Sequence, residues 1–309
     1  MDMRKTKIKR WLHRYATFVA FATFLLIIAG ALVTSTDAGL SVPDWPTSFG
    51  SFHIPRMVGG VKYEHGHRML AGTVVILTVI LSLWLWRSEE RRRVRRLGGL
   101  AILTIIAQAA LGGITVLYFL PVDISVMHAC LAQLFFCITV SIALFTSPKW
   151  RWDRPRLEDQ STPSLRHLSV ATTVLIFVQL LLGAAFRHHG FGISPHILVA
   201  ALVTACIFWL LFRVLAAFRH ESQLERAAFL LAGLLVMQIF LGIGSFLMLL
   251  ATQGLPRPSS MVVTLTTAHV AVGALLLASS LYLTCKIYWY LAPPLTARVE
   301  HISVNEARP

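Results

Sequence analysis

The chain has 309 residues, 56% hydrophobic and 14% charged, with a formal charge of +14 and a mean hydropathy of +0.69. A soluble domain carries close to a quarter of its residues as charged groups, so the composition excludes one and indicates an all-α polytopic membrane protein. The basic residues cluster at the ends of apolar runs, as membrane orientation requires, so no nucleic-acid partner is expected.

Eight spans are predicted. Arg4, Lys5, Lys7, Lys9 and Arg10 precede the first, 15–36, which is too long for a signal-peptide core and stays as a membrane helix. The loop 37–67 follows, rich in turn formers yet studded with apolar residues between Thr36 and Gly50. A loop of that length and character reads as a functional lid, with Trp45 either part of it or an anchor at the interface. It ends in Glu64-His65-Gly66-His67-Arg68, just ahead of span 68–86. Glu64 and His67, three apart, share a helix face, and His65 points elsewhere. Glu64 is read either as an acid for chemistry or as a carboxylate favoured at a helix N-terminus.

Span 97–118 carries Gln108-Ala-Ala-Leu-Gly112, and span 124–146 opens on His128. Across the polar segment 147–167 the pattern recurs, with Gln179-Leu-Leu-Leu-Gly183 in span 168–186 and His196 at the start of 194–214. It recurs again as Gln238-Ile-Phe-Leu-Gly242 in span 227–250 and His269 in 261–289, where His269 sits a turn or two deeper unless that helix projects outward. The first span holds only a shadow of the pattern, ending at Gly30. The glycines permit close packing; the glutamines either serve the site or bond across the bundle. The repeat divides the chain into two pseudo-symmetric four-helix bundles, 1–146 and 168–309, joined by 147–167.

Of the 28 Lys and Arg, 23 fall on the side of the termini, leaving Arg56, Lys62, Arg68, Arg187 and Arg257 on the other. Both termini are therefore expected in the cytoplasm, with Arg87–Arg96 and Lys149–Arg156 as clamps at the headgroups. His13, His167, His220 and His301 fall on that side and read as solvated; His53, His188 and His189 read as outer-loop residues. Cys130, Cys137, Cys206 and Cys285 lie inside spans as small packing residues, and no CxxC or CxxCH occurs.

Four histidines at the outer ends of alternate spans are a functional signal, because ionisable groups inside a membrane are expensive. Facing imidazoles supply both axial ligands of a haem iron. His67 with His128, and His196 with His269, thus read as two bis-histidine haem sites, one per half, clasped between its second and fourth helices. Arg68 and Arg187, at the outer interface, either pair with haem propionates or snorkel to headgroups. Glu64 has no counterpart before His196, where Ile193, Ser194 and Pro195 stand.

In Glu64-x-x-His67-Arg68, the Gly39-Leu-Ser41…Asp44-Trp45 loop, His128, His196, His269 and the duplicated plan, the chain resembles the haem A synthase family, bacterial and mitochondrial, over nearly its whole length. The resemblance implies oxidation of a ring methyl of haem O to a formyl group, giving the haem A of cytochrome oxidase. It places the haem O substrate and haem A product at His67 and His128, Glu64 as the catalytic carboxylate, and a haem b cofactor at His196 and His269. It implies as partners the haem O synthase, the cytochrome oxidase assembly route and a membrane electron acceptor, at a bacterial cytoplasmic membrane; a homo-oligomer stays open. Some members carry paired cysteines in their outer loops, and these loops contain none, so a thiol step is absent or supplied by a partner. The competing readings are a bis-histidine di-haem electron carrier of cytochrome-b type, and a transporter or assembly factor that binds haem unaltered. A prenyltransferase would need aspartate-rich motifs that the chain lacks.

Overall fold

A computed structural model describes residues 3–150, 157–159 and 161–292, with side chains from residue 7 onward. The described residues form eight helices: α1 Met3–Ser35, α2 Val61–Ser88, α3 Arg92–Leu117, α4 Val122–Thr146, α5 Leu165–Arg187, α6 Ser194–Ala217, α7 Ser222–Ala251 and α8 Ser260–Tyr290. All eight are long and apolar enough to cross a membrane, and the described residues include no strand beyond two isolated bridges, Ser48 with Ser51 and Leu157 with Leu291. The protein is an all-α multi-pass membrane protein.

Most helices outrun the expected spans, chiefly at the ends rich in Lys and Arg. Hydropathy stops at the hydrocarbon edge, whereas a helix continues into the headgroups and carries its cations there on apolar stems. The largest extension is at α1, which begins at Met3 rather than 15; those that move residues of interest are at α2 and α3. α2 begins at Val61 rather than 68, so Glu64, His65, His67 and Arg68 are helical and the preceding loop is shorter than 37–67. α3 begins at Arg92 rather than 97, so most of the expected basic clamp is its first turns. Arg151, Arg154 and Arg156 of the second clamp, and His301, lie outside the described residues.

Each successive quartet of helices closes on itself. α1 packs on α2 and α4, and α3 on α2 and α4; likewise α5 packs on α6 and α8, and α7 on α6 and α8. The two quartets meet through α1 with α8 and through α4 with α5 and α8. Lipid removes the hydrophobic drive for this association, so close packing and internal hydrogen bonds must supply it. Gly98 lets α3 approach α2, where Ser82 Oγ donates to its carbonyl at 2.9 Å. Thr173 Oγ1 of α5 stands 2.8 Å from Ser280 Oγ and 2.9 Å from Thr284 Oγ1 of α8. Buried hydroxyls elsewhere bond back one turn, as Thr78 does to the Val74 carbonyl at 2.7 Å. At the end bearing the termini, His13 is half-buried with Nδ1 2.9 Å from the Ala143 carbonyl. It is thus a packing group between α1 and α4 and not the solvated residue expected.

Candidate functional site

The four histidines share one local construction. Each ring lies against a glycine of the preceding helix, with its Cε1 nearest. A Cβ at Gly30 would meet His67 Cε1 at 3.1 Å, at Gly112 His128 at 3.1 Å, at Gly183 His196 at 3.0 Å and at Gly242 His269 at 2.9 Å. Those distances are tighter than ordinary carbon–carbon contact, so a Cβ at any of these glycines would press on the ring, and at Gly242 the ring would have to shift. His196 Nδ1 lies 3.2 Å from the carbonyl oxygen of Gln179, one turn before Gly183. The carbonyls of Leu26, Gln108 and Gln238, each one turn before its own glycine, face His67, His128 and His269 in the same way, without reaching hydrogen-bond geometry at Nδ1. A backbone carbonyl bonded to Nδ1, as at His196, favours the tautomer that leaves Nε2 with its lone pair, the arrangement usual behind a metal-bound imidazole.

The glutamines of the repeat belong to the same construction. Four residues before the glycine puts Gln and Gly on one face, and both meet the histidine. Gln108 Nε2 donates to the His128 carbonyl at 3.0 Å, and Gln179 Nε2 donates to the His196 carbonyl at 2.9 Å and lies 3.2 Å from its Nε2. Gln238 Nε2 lies 3.3 Å from His269 Nε2. At the corresponding place in α1 stands Leu26, which is why the pattern is only a shadow there.

The rings of His196 and His269 have centroids 6.3 Å apart. A metal–nitrogen bond of about 2 Å on each side, plus roughly 1.1 Å from each nitrogen to its ring centre, gives about 6 Å, so the pair fits one iron between them. The two residues sit at the same level although His196 is the third residue of α6 and His269 the tenth of α8. α8 therefore rises beyond α6 by seven residues, about 10 Å at 1.5 Å per residue, and His269 owes its position in sequence to that projection. His67 lies within electrostatic range of His128. Among the described residues no three His, Cys, Asp or Glu side chains converge as a site for a bare metal ion, whereas an iron already held by a macrocycle needs only two.

Around His67 the structure adds a second layer. The loop after α1 folds back over the start of α2 and is pinned by Glu64 and Arg68. Glu64 is buried; its Oε2 accepts from the Val42 amide at 2.8 Å and its Oε1 from Arg68 Nη2 at 2.6 Å. Arg68 also donates to the carbonyls of Asp44 at 2.7 Å, Thr47 at 3.0 Å and Val42 at 3.1 Å. One guanidinium thus ties three carbonyls within residues 42–47 to one helix. His65, pointing away from His67, has Nδ1 2.9 Å from Ser48 Oγ and fastens the same loop from the side.

Asp44 shapes the loop's tip. Phe49 and Gly50 both have positive φ, 57° and 73°, as a type I′ turn requires, and such a φ is unfavourable for phenylalanine. The Asp44 carboxylate accepts from the amides of Phe49 at 2.6 Å and Gly50 at 2.9 Å and from the Thr47 hydroxyl. The Thr47 hydroxyl first, and then these amides, hold its carboxyl down at about 2. Trp45 packs onto α3, where a Cβ at Gly113 would lie 2.7 Å from its Cδ2. It therefore touches the residue next to the cradle of His128. Spacing alone conceals this contact, although the doubled Gly112-Gly113 was its signal.

Arg187, at the end of α5, donates to the Thr34 carbonyl at 2.7 Å and stands 3.7 Å from Asp37, joining the two quartets at the helix ends. His188, the next residue, is half-buried within electrostatic range of His128, and burial, with Arg187 beside it, lowers its pKa. His53 and His189 are exposed. All four cysteines are free thiols within helices.

Proteins named heme A synthase are similar to the chain. That of Lysinibacillus sphaericus is 30% identical over 183 residues, 58% of this chain and 59% of its own length. That of Symbiobacterium thermophilum is 29% identical over 171 residues, 54% and 56% of the two chains, and that of Brucella anthropi 30% over 156 residues, 44% and 40%. The matches thus span about half the length of these relatives. Residues 13–59 and 63–194, together more than half of the chain and including the lid, Glu64, His67 and His128, match the family model described as cytochrome oxidase assembly protein, and the chain belongs to that family.

Proposed function

We propose that the chain is a haem A synthase, an oxidoreductase that converts a ring methyl of haem O to a formyl group. The observation that carries the reading is the inequality of two otherwise similar histidine pairs. Both pairs rest on glycine cradles, yet among the described residues only the first has a buried acid beside it and a loop fastened over it. In this reading His67 and His128 hold the substrate haem, and His196 and His269 hold a resident haem b, which supplies one-electron redox chemistry when bound. Residues 1–146 form the reacting half and 168–309 the half that holds the cofactor.

Oxidising a methyl to a formyl group removes four electrons and installs one oxygen atom, so protons and positive charge must be handled at the methyl carbon. Glu64, one helical turn from His67, is the group to receive a proton or offset that charge. The lid covers the reacting edge and limits bulk water there, which strengthens such electrostatic help, while one water molecule supplies the oxygen atom and four protons leave with the four electrons. Arg68 positions Glu64 and the lid together, and Arg187, anchored at Thr34 and Asp37, remains the cation nearest the junction of the halves for a propionate. The electrons pass to an acceptor in the membrane. The excess of Lys and Arg on the side of the termini supports a bacterial cytoplasmic membrane with both termini inside. Haem O synthase upstream and the cytochrome oxidase assembly route downstream are the partners this chemistry implies.

The test is Glu64→Gln, which keeps an acceptor for the Val42 amide. Haem extracted from membranes of cells making the variant should be mainly unconverted haem O, with the haem content of the protein retained. A normal yield of haem A in that variant would remove Glu64 from the reaction.

A further inference from the structure

At the opposite ends of α2 and α3 from the lid, a recess of about 480 Å³ is lined by Trp86, Arg92, Arg95, Arg96 and Gly99. Positions 92, 95, 96 and 99 follow the i, i+3, i+4, i+7 spacing of a single helix face, so three guanidinium groups share one side of α3. Trp86 of α2 forms the facing wall, its Nε1 donating to the Arg95 carbonyl at 3.2 Å. Gly99 leaves the floor without a side chain; a Cβ there would rest in ordinary contact with Trp86 Cζ2 at 3.9 Å, and any larger side chain would occupy the recess.

The charge in this recess is unbalanced. The nearest buried acid, Glu89, is taken up by Arg91 through contacts of 2.8 and 2.7 Å, and this engagement lowers the Glu89 pKa although burial opposes it. No carboxylate among the described residues pairs with Arg92, Arg95 or Arg96. α3 has no acidic residue in its first turn and no side-chain cap, so its unsatisfied amides add to the positive field. Three like charges on one helix face repel one another, and an anion placed among them relieves the repulsion while bonding two or more forks.

The surroundings select the anion. Below the arginines the same side of the two helices continues into exposed leucines, Leu83, Leu100 and Leu103, 56%, 44% and 65% exposed. The recess therefore sits where a membrane helix passes from headgroups to hydrocarbon, basic above and greasy below. A soluble phosphate uses only the upper part; a phospholipid uses both. We propose that this recess binds the headgroup phosphate of an anionic phospholipid, with its acyl chains along Leu83, Leu100 and Leu103. Basic pockets between membrane helices suit such headgroups, and an indole at the rim suits the interface.

Native mass spectrometry of the full-length protein, delipidated in detergent and titrated with phosphatidylglycerol or phosphatidylcholine, tests this. Wild type should retain phosphatidylglycerol at least tenfold more tightly than phosphatidylcholine. Each Arg→Gln substitution at 92, 95 or 96 should weaken that retention about fivefold, and the triple variant roughly a hundredfold. Gly99→Leu fills the recess without altering charge, and should abolish the preference while leaving the fold intact by circular dichroism. Equal retention of the two lipids, or an unchanged preference in Gly99→Leu, overturns the site. Displacement of phosphatidylglycerol by millimolar inorganic phosphate would show a site for a soluble phosphate and overturn the lipid assignment.

Discussion

Replacing Gly242 by Ala tests the cradle directly. The added Cβ would stand 2.9 Å from His269 Cε1, against the 3.5–4.0 Å at which carbon atoms rest. The ring must therefore retreat by roughly 0.6–1 Å, or α7 and α8 must part. Metal–ligand distances tolerate only about 0.2 Å, so a ring so displaced no longer reaches an iron shared with His196, 6.3 Å away centre to centre. Overpacking of this kind costs about 1–3 kcal/mol, which corresponds to roughly 5- to 150-fold in affinity for the macrocycle. Gly233→Ala is the control: it lies on the same helix, nothing approaches within 4 Å of its Cβ, and Ala there should favour the helix by up to about 1 kcal/mol. The assay is haem content per protein by pyridine haemochrome, with the reduced-minus-oxidised spectrum to report ligation. Gly242→Ala should lose haem b, or turn it from low to high spin, while Gly233→Ala matches wild type. A full complement with an unchanged spectrum in Gly242→Ala would refute the cradle, as would equal loss in the control.

Two predictions concern the lid. Arg68→Gln strands the buried Glu64 carboxylate without its cation and releases three loop carbonyls, a loss of about 3–5 kcal/mol; a spin label at Phe52, 82% exposed, should become markedly more mobile while haem b at His196 and His269 is retained. An immobile label in that variant would show that the loop is held by other contacts. The second prediction is a pH dependence set by Asp44. Its folded-state pKa of about 2 lies below the ordinary 3.8, so the stability it lends the tip is complete above pH 3.8 and fades as pH falls through about 2. Thr47→Val removes the largest lowering influence, so loosening of the Phe52 label should begin at higher pH than in wild type. An unshifted midpoint would dismiss the hydroxyl as the cause.

The eight helices were legible because apolar runs of membrane length admit one backbone solution. Their ends were not, since Arg92 or Glu64 is tolerated in the first turns of a helix once these lie among headgroups. The histidines announced themselves by their expense in a membrane, and the Gln-x-x-x-Gly spacing carried their cradles. What that spacing conceals is direction: that Gly112 receives His128 and Gly113 receives Trp45 depends on how α4 and the loop meet α3. The bonds of Arg68 were hidden for a related reason. Its partners are backbone carbonyls of Val42, Asp44 and Thr47, and carbonyls leave no trace in a sequence. The two arginines were grouped by their shared place at the outer interface; the structure separates them, Arg68 fastening the lid and Arg187 spanning the quartets.

The absence of a glutamine at Leu26 bears on how a haem enters and leaves. Three of the four cradles brace the histidine with an amide, at 2.9–3.3 Å, through its ring or its carbonyl. His67 alone has a leucine in that place, while its Nδ1, like those of His128 and His269, has no hydrogen-bond partner. In the proposed reading, a haem released at every turnover benefits from having one of its two rings, that of His67, held by shape alone. The amide on the His196 carbonyl instead braces that ring while leaving its Nε2 to the iron of a resident cofactor, and Gln238 must turn from His269 Nε2 to do the same. Leu26→Gln should supply the missing brace. An interhelical hydrogen bond in a membrane contributes about 0.6 kcal/mol, so release of haem from the first pair should slow by roughly threefold. The purified variant should carry more haem A than wild type while whole cells make less. If the haem bound to the variant and the yield of the cells both match wild type, the brace is not what distinguishes the pairs, and the lid over Glu64 must account for the difference alone.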